Sequence, residues 1–135
     1  MTLSTTPSWA APQQRVNVLA SDIAAVVCAT SAGVHAALVV PHAEESSRMA
    51  AAFALSTVAL AAAAVILATR PSPAASAAVA GLLLSVAAAY FMSRTTGIPG
   101  LNHHQEPVDV LGVLVTSLEV AGAAVVLWPL TRRSN

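Results

Sequence analysis

Four long apolar stretches divide this sequence, and each is close to the length that a helix needs to cross a lipid bilayer. The stretches cover roughly residues 17–40, 49–69, 74–93 and 108–130. About 20 consecutive apolar residues are enough to span the hydrocarbon core. Charged residues make up only 9% of the chain, whereas a soluble domain carries about 25%. The sequence therefore predicts an integral membrane protein whose helices contact the lipid bilayer.

Prolines mark the breaks between the stretches. Pro41 is expected to end the first helix, "RPSP" (70–73) separates the second from the third, and "GIPG" (97–100) follows the third. Pro107 stands at the start of the fourth helix, where its missing N–H costs nothing. Helices joined by short connections pack antiparallel to their neighbours in the chain. The predicted fold is an all-α, antiparallel bundle of four transmembrane helices.

The chain is expected to form a single membrane domain from residue 16 to residue 130. The polar segment 1–15 is expected to be flexible, and residues 131–135 to form a short tail. Segment 1–15 resembles the start of a signal peptide. The apolar run that follows is about 24 residues long, which exceeds the usual apolar region of such a peptide. An uncleaved first helix is therefore predicted.

Arginine supplies all of the basic charge and predicts the orientation of the helices. Four arginines fall on one side of the predicted bundle and two on the other: Arg15, Arg70, Arg132 and Arg133 against Arg48 and Arg94. By the positive-inside rule, both termini are cytoplasmic and the protein lies in the inner (plasma) membrane. Loops 41–48 and 94–107 then face outward. The net charge is zero, so nothing indicates nucleic-acid binding.

The fourth stretch carries polar or small residues on one helical face. They are separated by three or four positions: Asp109, Gly112, Thr116, Glu119 and Ala123. Glu119 is expected about 16 Å below the outer end of its helix, close to the membrane midplane. An ionised carboxylate is costly at that depth, so Glu119 is expected to be protonated or paired. Two interpretations stay open: a functional group, or a neutral acid that donates one hydrogen bond to a neighbouring helix.

The first stretch has a matching polar face. It comprises Ser21, Cys28, Ser31, His35 and His42. Counted down from Pro41, Ser31 reaches about the same depth as Glu119. If the first and fourth helices pack together, a polar track would run from His42 through His35 and Ser31 to Glu119. Such relays occur in proton and ion pathways. Small residues also recur every four positions at Ala25, Ala29, Gly33 and Ala37, as tight packing within the bundle or a dimer face requires.

The predicted outer surface collects side chains that bind metals. The proposed ligands are His35, His42, Glu45, His103 and Glu106, and only one of the adjacent His103 and His104 is expected to bind. Imidazoles and carboxylates suit copper or zinc. In a straight helix His35 and His42 lie about 10.5 Å apart, so a shared ion requires a bend at Pro41. An alternative is that Arg94 forms a salt bridge with Glu106 or Glu45 and ties the outer loops together.

Three segments resemble small four-helix integral membrane proteins encoded in actinobacteria. They are "GVHAALVVPHAEE" (33–45), "SRTTGIPG" (93–100) and "EPVDVLGVLVTSLE" (106–119). The resemblance covers most of the chain after residue 30 and implies a fold but no biochemical activity. The residues to which it points are His35, His42, Glu45, Arg94, Gly97, Pro99, Glu106 and Glu119.

The sequence favours a non-enzymatic membrane binding module that holds copper or zinc at an outward-facing His/Glu mouth. No GxSxG elbow or Gly-rich phosphate loop indicates an enzyme. One alternative is an accessory subunit of a larger membrane complex, paired through the polar face of the fourth helix. Another is a small proton-coupled transporter that uses Glu119. A transporter of this size is expected to form a homo-oligomer, because four thin helices enclose little space.

Overall fold

The structure, a computed structural model, describes residues 10–101 and 105–132. These residues form four α-helices: α1 (Ala10–Glu45), α2 (Ser47–Thr69), α3 (Pro73–Thr95) and α4 (Val110–Thr131). All four helices are long and apolar enough to cross a membrane. The prediction of an all-α chain with four candidate membrane spans is therefore confirmed.

Polar side chains begin three of the helices. Ser46, Ser72 and Asp109 are the N-caps of α2, α3 and α4. Ser72 Oγ accepts a hydrogen bond from Ala75 N at 3.1 Å, and Asp109 Oδ1 accepts one from Gly112 N at 2.6 Å. Each bond satisfies an amide that has no partner in the first turn of its helix. The starts of α2, α3 and α4 are therefore fixed by capping side chains, and the α1–α2 and α2–α3 connections are short.

The first helix does not end at Pro41, which corrects the expectation from the sequence. α1 continues to Glu45 and begins at Ala10, within the segment expected to be flexible. Pro41 donates no hydrogen bond to the carbonyl of Ala37, yet Ser46 N donates to His42 O at 2.8 Å, so the helical pattern resumes. The loss of one hydrogen bond therefore does not end the helix, which runs up to Ser46, the N-cap of α2.

The side-chain contacts define an antiparallel arrangement. Along α1 and α4, Ser31 faces Glu119 and Val27 faces Gly122, so the residue numbers run in opposite directions. Along α3 and α4, Tyr90 lies beside Gly112 and Leu83 beside Gly122. α1 and α2 form a hairpin around Ser46. We call the end with the α2–α3 turn the inner end and the opposite end the outer end.

The bundle core is built mainly from alanine and leucine. Its main members are Ala24, Cys28 and Ala32 of α1, Leu60 and Leu67 of α2, Val79 and Leu83 of α3, and Ala123 and Val126 of α4. Small side chains allow helix backbones to approach closely. The tightest approach involves Gly122, where an added Cβ would lie 2.9 Å from Val27 Cγ1. The backbone of α4 at Gly122 therefore lies directly against the Val27 side chain of α1.

The small-residue face predicted on α1 does not pack inside the bundle. Ala25 is buried, but Ala29, Gly33 and Ala37 are exposed. Small residues of α1 that are buried precede the predicted ones by one position in the sequence: Ala24, Cys28 and Ala32. In an alanine-rich helix several faces carry small residues, so spacing alone does not identify the face that packs.

Large apolar side chains cover the outside of the bundle. Val26 is 66% exposed, Leu55 71% and Val65 61%. In water a continuous apolar surface of this kind would drive association. In a bilayer the same surface contacts lipid tails. The four apolar helices indicate a multi-pass membrane protein.

Substitution of Gly122 by alanine is expected to lower the thermal unfolding midpoint in mild detergent by several degrees. The new methyl group would meet Val27 at 2.9 Å, and overpacking of this kind costs about 1–3 kcal/mol. Circular dichroism measures the midpoint. The matched control is Gly33→Ala, which meets nothing within 4 Å and introduces a better helix former. An equal loss in both variants would contradict the close approach of α1 and α4.

Candidate functional site

A buried hydrogen bond joins α1 to α4 in the middle of the bundle. Ser31 Oγ donates a hydrogen bond to Glu119 Oε1 at 2.5 Å. Glu119 is almost fully buried, with only 1% of its surface exposed. Thr116, one turn earlier on α4, is also buried. The structure thus brings together all three residues that the sequence assigns to an intramembrane polar group: Ser31, Thr116 and Glu119.

Local packing explains why this carboxyl group lies so close to the serine. Gly122 follows Glu119 by three residues and admits Val27 of α1 into direct contact. Cys28 is fully buried on α1 one turn below Ser31. Because neither helix presents a large side chain at this contact, the short Ser31 hydroxyl reaches Glu119. The adjacency of the first and fourth helices, on which the predicted polar track depends, is present.

The polar contacts continue from Ser31 toward the outer end. His35 Nδ1 lies 2.9 Å from the carbonyl oxygen of Ser31 and 3.4 Å from its hydroxyl oxygen. A carbonyl only accepts hydrogen bonds, so Nδ1 carries the proton in this arrangement and Nε2 is left as the acceptor. His35 is half-buried. It therefore lies between the buried pair and the outer surface.

His42 repeats this arrangement two turns further out. Its Nδ1 lies 2.9 Å from the carbonyl oxygen of Leu38. Both imidazoles pack on Phe53 of α2, with ring centroids 5.6 Å away for His35 and 4.4 Å away for His42. Phe53 is a part of this site that sequence reasoning missed, although it is the aromatic residue nearest the start of the second apolar stretch. The two histidines are thus held on one side of the α1–α2 hairpin.

A second polar cluster, the Arg94 clasp, fastens the α3–α4 connection at the outer end. We define it as Arg94, Glu106 and Asp109. Arg94 Nη1 lies 3.0 Å from Glu106 Oε2 and Nη2 lies 2.7 Å from Asp109 Oδ2. The guanidinium group also lies 4.7 Å from the centre of the Tyr90 ring. The bridge from Arg94 to Glu106 agrees with one of the two pairings predicted from the sequence.

Asp109 is a member of the clasp that sequence reasoning missed. Helical spacing assigns it to the polar face of α4, but the chain at Asp109 is extended rather than helical. One carboxylate oxygen caps Gly112 N and the other binds Arg94. An aspartate just before an apolar helix is an N-cap signal. That signal identifies the cap, but the partner across the connection depends on the fold.

The proposed metal ligands are only partly described. The described residues contain no group of three His, Cys, Asp or Glu side chains placed to hold an ion. Glu106 instead binds Arg94, while His35 and His42 pack on Phe53. His103 and the side chain of Glu45 lie outside the described part of the chain. In the described part, two imidazoles therefore share one aromatic surface and no carboxylate joins them.

Substitution of Arg94 by glutamine is expected to speed amide hydrogen exchange in residues 105–113 by roughly tenfold or more, because charge-assisted hydrogen bonds are lost. Mass spectrometry of exchanged peptides measures the change. Arg48→Gln is the matched control, since exposed Arg48 makes one contact, at 3.3 Å to Gly100 O. Unchanged exchange in Arg94→Gln would show that the clasp does not hold the start of α4.

The site therefore has two parts, a buried Ser31–Glu119 pair with two histidines above it and a separate Arg94 clasp. The first part contains groups that can donate and accept hydrogen bonds. In the second part, both terminal nitrogens of Arg94 bind carboxylates, while its Nε is buried without a hydrogen-bond partner among the described residues. No family model, curated protein or solved structure matches this chain.

Proposed function

We propose that this chain is a small proton-coupled transporter in which Glu119 binds and releases the transported proton. The observation that carries the proposal is the hydrogen bond between Ser31 and Glu119, inside a bundle of four candidate membrane spans. Glu119 lies nine residues after the start of α4, or about 14 Å along the helix axis. Ionisable groups at this depth are costly and are typical of proton and ion pathways.

Ser31 is a suitable hydrogen-bond partner for a carboxyl group that gains and loses a proton. A serine hydroxyl donates to a carboxylate and accepts from a carboxylic acid. The contact with Ser31 is therefore compatible with both protonation states. No arginine side chain bonds to Glu119 in the described residues, so no fixed positive charge holds this carboxyl group in its ionised form.

The groups above Glu119 support proton exchange with the outer end. Ser31 contacts His35, and His35 and His42 lie on the same Phe53 ring. Histidine is the side chain that most readily gains and loses a proton near neutral pH. Directly below Glu119, by contrast, the apolar Leu83 of α3 packs beside Gly122 and belongs to the hydrophobic core. Access to the carboxyl group is therefore proposed from the outer end, with the apolar layer as a barrier.

The arginines support an orientation for this pathway. Arg15, Arg70 and Arg132 lie toward the inner end, whereas Arg48 and Arg94 lie toward the outer end. The positive-inside rule then assigns the inner end and both termini to the cytoplasm of a plasma-membrane protein. In this orientation Glu119 exchanges protons with the extracytoplasmic side. Four thin helices leave little room for a further substrate, so the working form is proposed to be a homo-oligomer.

Infrared spectroscopy during a pH titration tests the role of Glu119 directly. The carbonyl stretch of one protonated, water-excluded carboxyl group is expected to appear on acidification and to be absent in Glu119→Gln. Glu106→Gln is the matched control, because it removes a carboxyl group from the Arg94 clasp by the same chemical change. A band that persists unchanged in Glu119→Gln, or that never titrates, would contradict proton exchange at Glu119.

The same spectroscopy after a rapid pH jump tests the route. His35→Phe is expected to slow the protonation change at Glu119 by roughly tenfold or more, since a positioned acid–base group is removed. The variant retains a ring that can pack on Phe53. An unchanged rate would place the route to Glu119 elsewhere.

A transition-metal site at the outer end is the second proposed function. One specific observation supports it: His35 and His42 each keep Nδ1 against a backbone carbonyl. Histidines that bind metals commonly donate one ring N–H in this way and use the other nitrogen as the ligand. Copper or zinc would bind at the Nε2 atom of His42, with Glu45 and His103 as the proposed further ligands, because His35 lies two helical turns away on the continuous helix α1.

Metal analysis by mass spectrometry distinguishes this second proposal. Near-stoichiometric copper or zinc is expected in protein purified in mild detergent without a chelator or a His tag. The metal content should fall by at least half in His42→Ala and remain unchanged in Glu106→Gln, whose carboxylate is engaged by Arg94. Metal-free wild-type protein would exclude a resident ion at this position.

The role of accessory subunit receives less support from the geometry. It requires the polar face of α4 to be available to another protein. Thr116, Glu119 and Ala123 are each at most 5% exposed within the bundle. α1 therefore already covers the face that a partner subunit was expected to bind.

A further inference from the structure

A cleft opens at the inner end of the bundle, far from the Ser31–Glu119 pair. It has a volume of about 220 Å³ and lies between the early turns of α1, the α2–α3 turn and the last turns of α4. Its polar lining consists of neutral amides and hydroxyls: Gln14, Asn17, Ser21, Ser72 and Ser76. Within residues 10–101 and 105–132, no acidic side chain lines it. The described lining therefore contains no negative charge that would repel an anion.

Two of the lining serines are largely buried residues whose side chains border the cleft. Ser21 is 5% exposed and Ser76 is 7% exposed, and both line the cleft with no side-chain hydrogen bond to a described residue. By contrast, the exposed Ser85 and Ser117 both donate to a carbonyl of their own helix at 2.7 Å. Among the described residues the fully buried side-chain atom that has no hydrogen bond is Arg94 Nε, so the Ser21 and Ser76 hydroxyls remain accessible from the cleft. Both hydroxyls line the cleft, where a bound ligand would satisfy them.

A helix N-terminus and two arginines lie near these hydroxyls along the chain, together with one acidic residue, Asp22, which directly follows Ser21. The 23-residue helix α3 begins at the cleft, with Ser72 as its N-cap, and the N-terminus of a helix favours negative charge. Arg70 directly precedes the lining segment of the α2–α3 turn, and Arg132 follows the lining residue Leu130 by two positions. Neither arginine forms a salt bridge with a described residue.

The level of the cleft along the helices indicates a lipid as the source of the anion. Arg132 lies 4.6 Å from the Trp128 ring, and Trp128 is 56% exposed. Exposed tryptophans and arginines occur where a membrane protein crosses the headgroup region. Leu19, on the α1 turn that borders the cleft, is 61% exposed. An acyl chain would lie against this apolar surface while the headgroup enters the cleft.

We propose that this cleft binds the phosphate of an anionic phospholipid headgroup. The Ser21 and Ser76 hydroxyls donate to the phosphate oxygens, and the start of α3 and Arg70 supply the positive potential. A volume of about 220 Å³ accommodates a phosphate with its glycerol and leaves the acyl chains outside. Basic pockets between transmembrane helices bind anionic headgroups in this manner. The site is independent of proton exchange at Glu119.

Lipid titration into delipidated protein in mild detergent tests the proposal. Phosphatidylglycerol is expected to remain bound in native mass spectra and to raise the thermal unfolding midpoint, whereas phosphatidylcholine at the same mole fraction does neither. The Ser21→Ala/Ser76→Ala double variant should bind phosphatidylglycerol roughly tenfold more weakly, because two hydrogen bonds to a charged group are lost. Ser85→Ala/Ser117→Ala is the matched control and should bind as the wild type does.

A second variant keeps the test independent of folding. Arg70→Gln changes an exposed side chain outside the core and should also weaken phosphatidylglycerol binding. The site would be overturned if the protein retained phosphatidylcholine as well as phosphatidylglycerol. It would also be overturned if the Ser85→Ala/Ser117→Ala control lost as much phosphatidylglycerol binding as the Ser21→Ala/Ser76→Ala variant. Stabilisation by inorganic phosphate alone, to the same extent as by phosphatidylglycerol, would overturn the lipid assignment and leave a free-phosphate site.

Discussion

The close approach of α1 and α4 is the constraint on which the rest of the structure depends. It needs Gly122, against which Val27 packs, and it allows a side chain as short as Ser31 to reach Glu119. Without that contact a carboxyl group in the middle of a membrane span would face either lipid or an empty space, and both are costly. In the same bundle α2 packs against α1 and α3 packs against α4, which positions Phe53 beside the histidines and Arg94 beside Asp109.

The spans could be predicted because the bilayer imposes one length on every helix that crosses it. The end of α1 could not be predicted in the same way. Proline usually stops a helix in water, where the freed backbone groups bind solvent. Pro41 forgoes one hydrogen bond, to the carbonyl of Ala37, and α1 nevertheless continues to Glu45. A proline in the sequence thus identifies one missing hydrogen bond, and the end of the helix is set instead by Ser46, the N-cap of α2.

The candidate site was predictable where polar residues are rare and unpredictable where suitable residues are common. A serine, a threonine and a glutamate stand out on apolar helices, so their spacing identified Ser31, Thr116 and Glu119 as a group. Alanine is present on every face of α1, so the same kind of spacing selected Ala29 and Gly33, which are exposed. The partnership of Arg94 with Asp109 spans 15 positions and depends on how the α3–α4 connection turns. No periodicity in the sequence encodes such a turn.

The carboxyl groups at the outer end and the buried carboxyl group of Glu119 have different kinds of partner, and this difference supports separate roles for them. Glu106 and Asp109 each form a salt bridge with the guanidinium group of Arg94. Glu119 faces a hydroxyl group instead. If this buried carboxyl served only to join two helices, an uncharged amide could make the same hydrogen bond without any risk of ionisation in lipid. A carboxyl group, unlike an amide, can exchange a proton as the proposed function requires, and a serine partner is compatible with that exchange because it can both donate and accept.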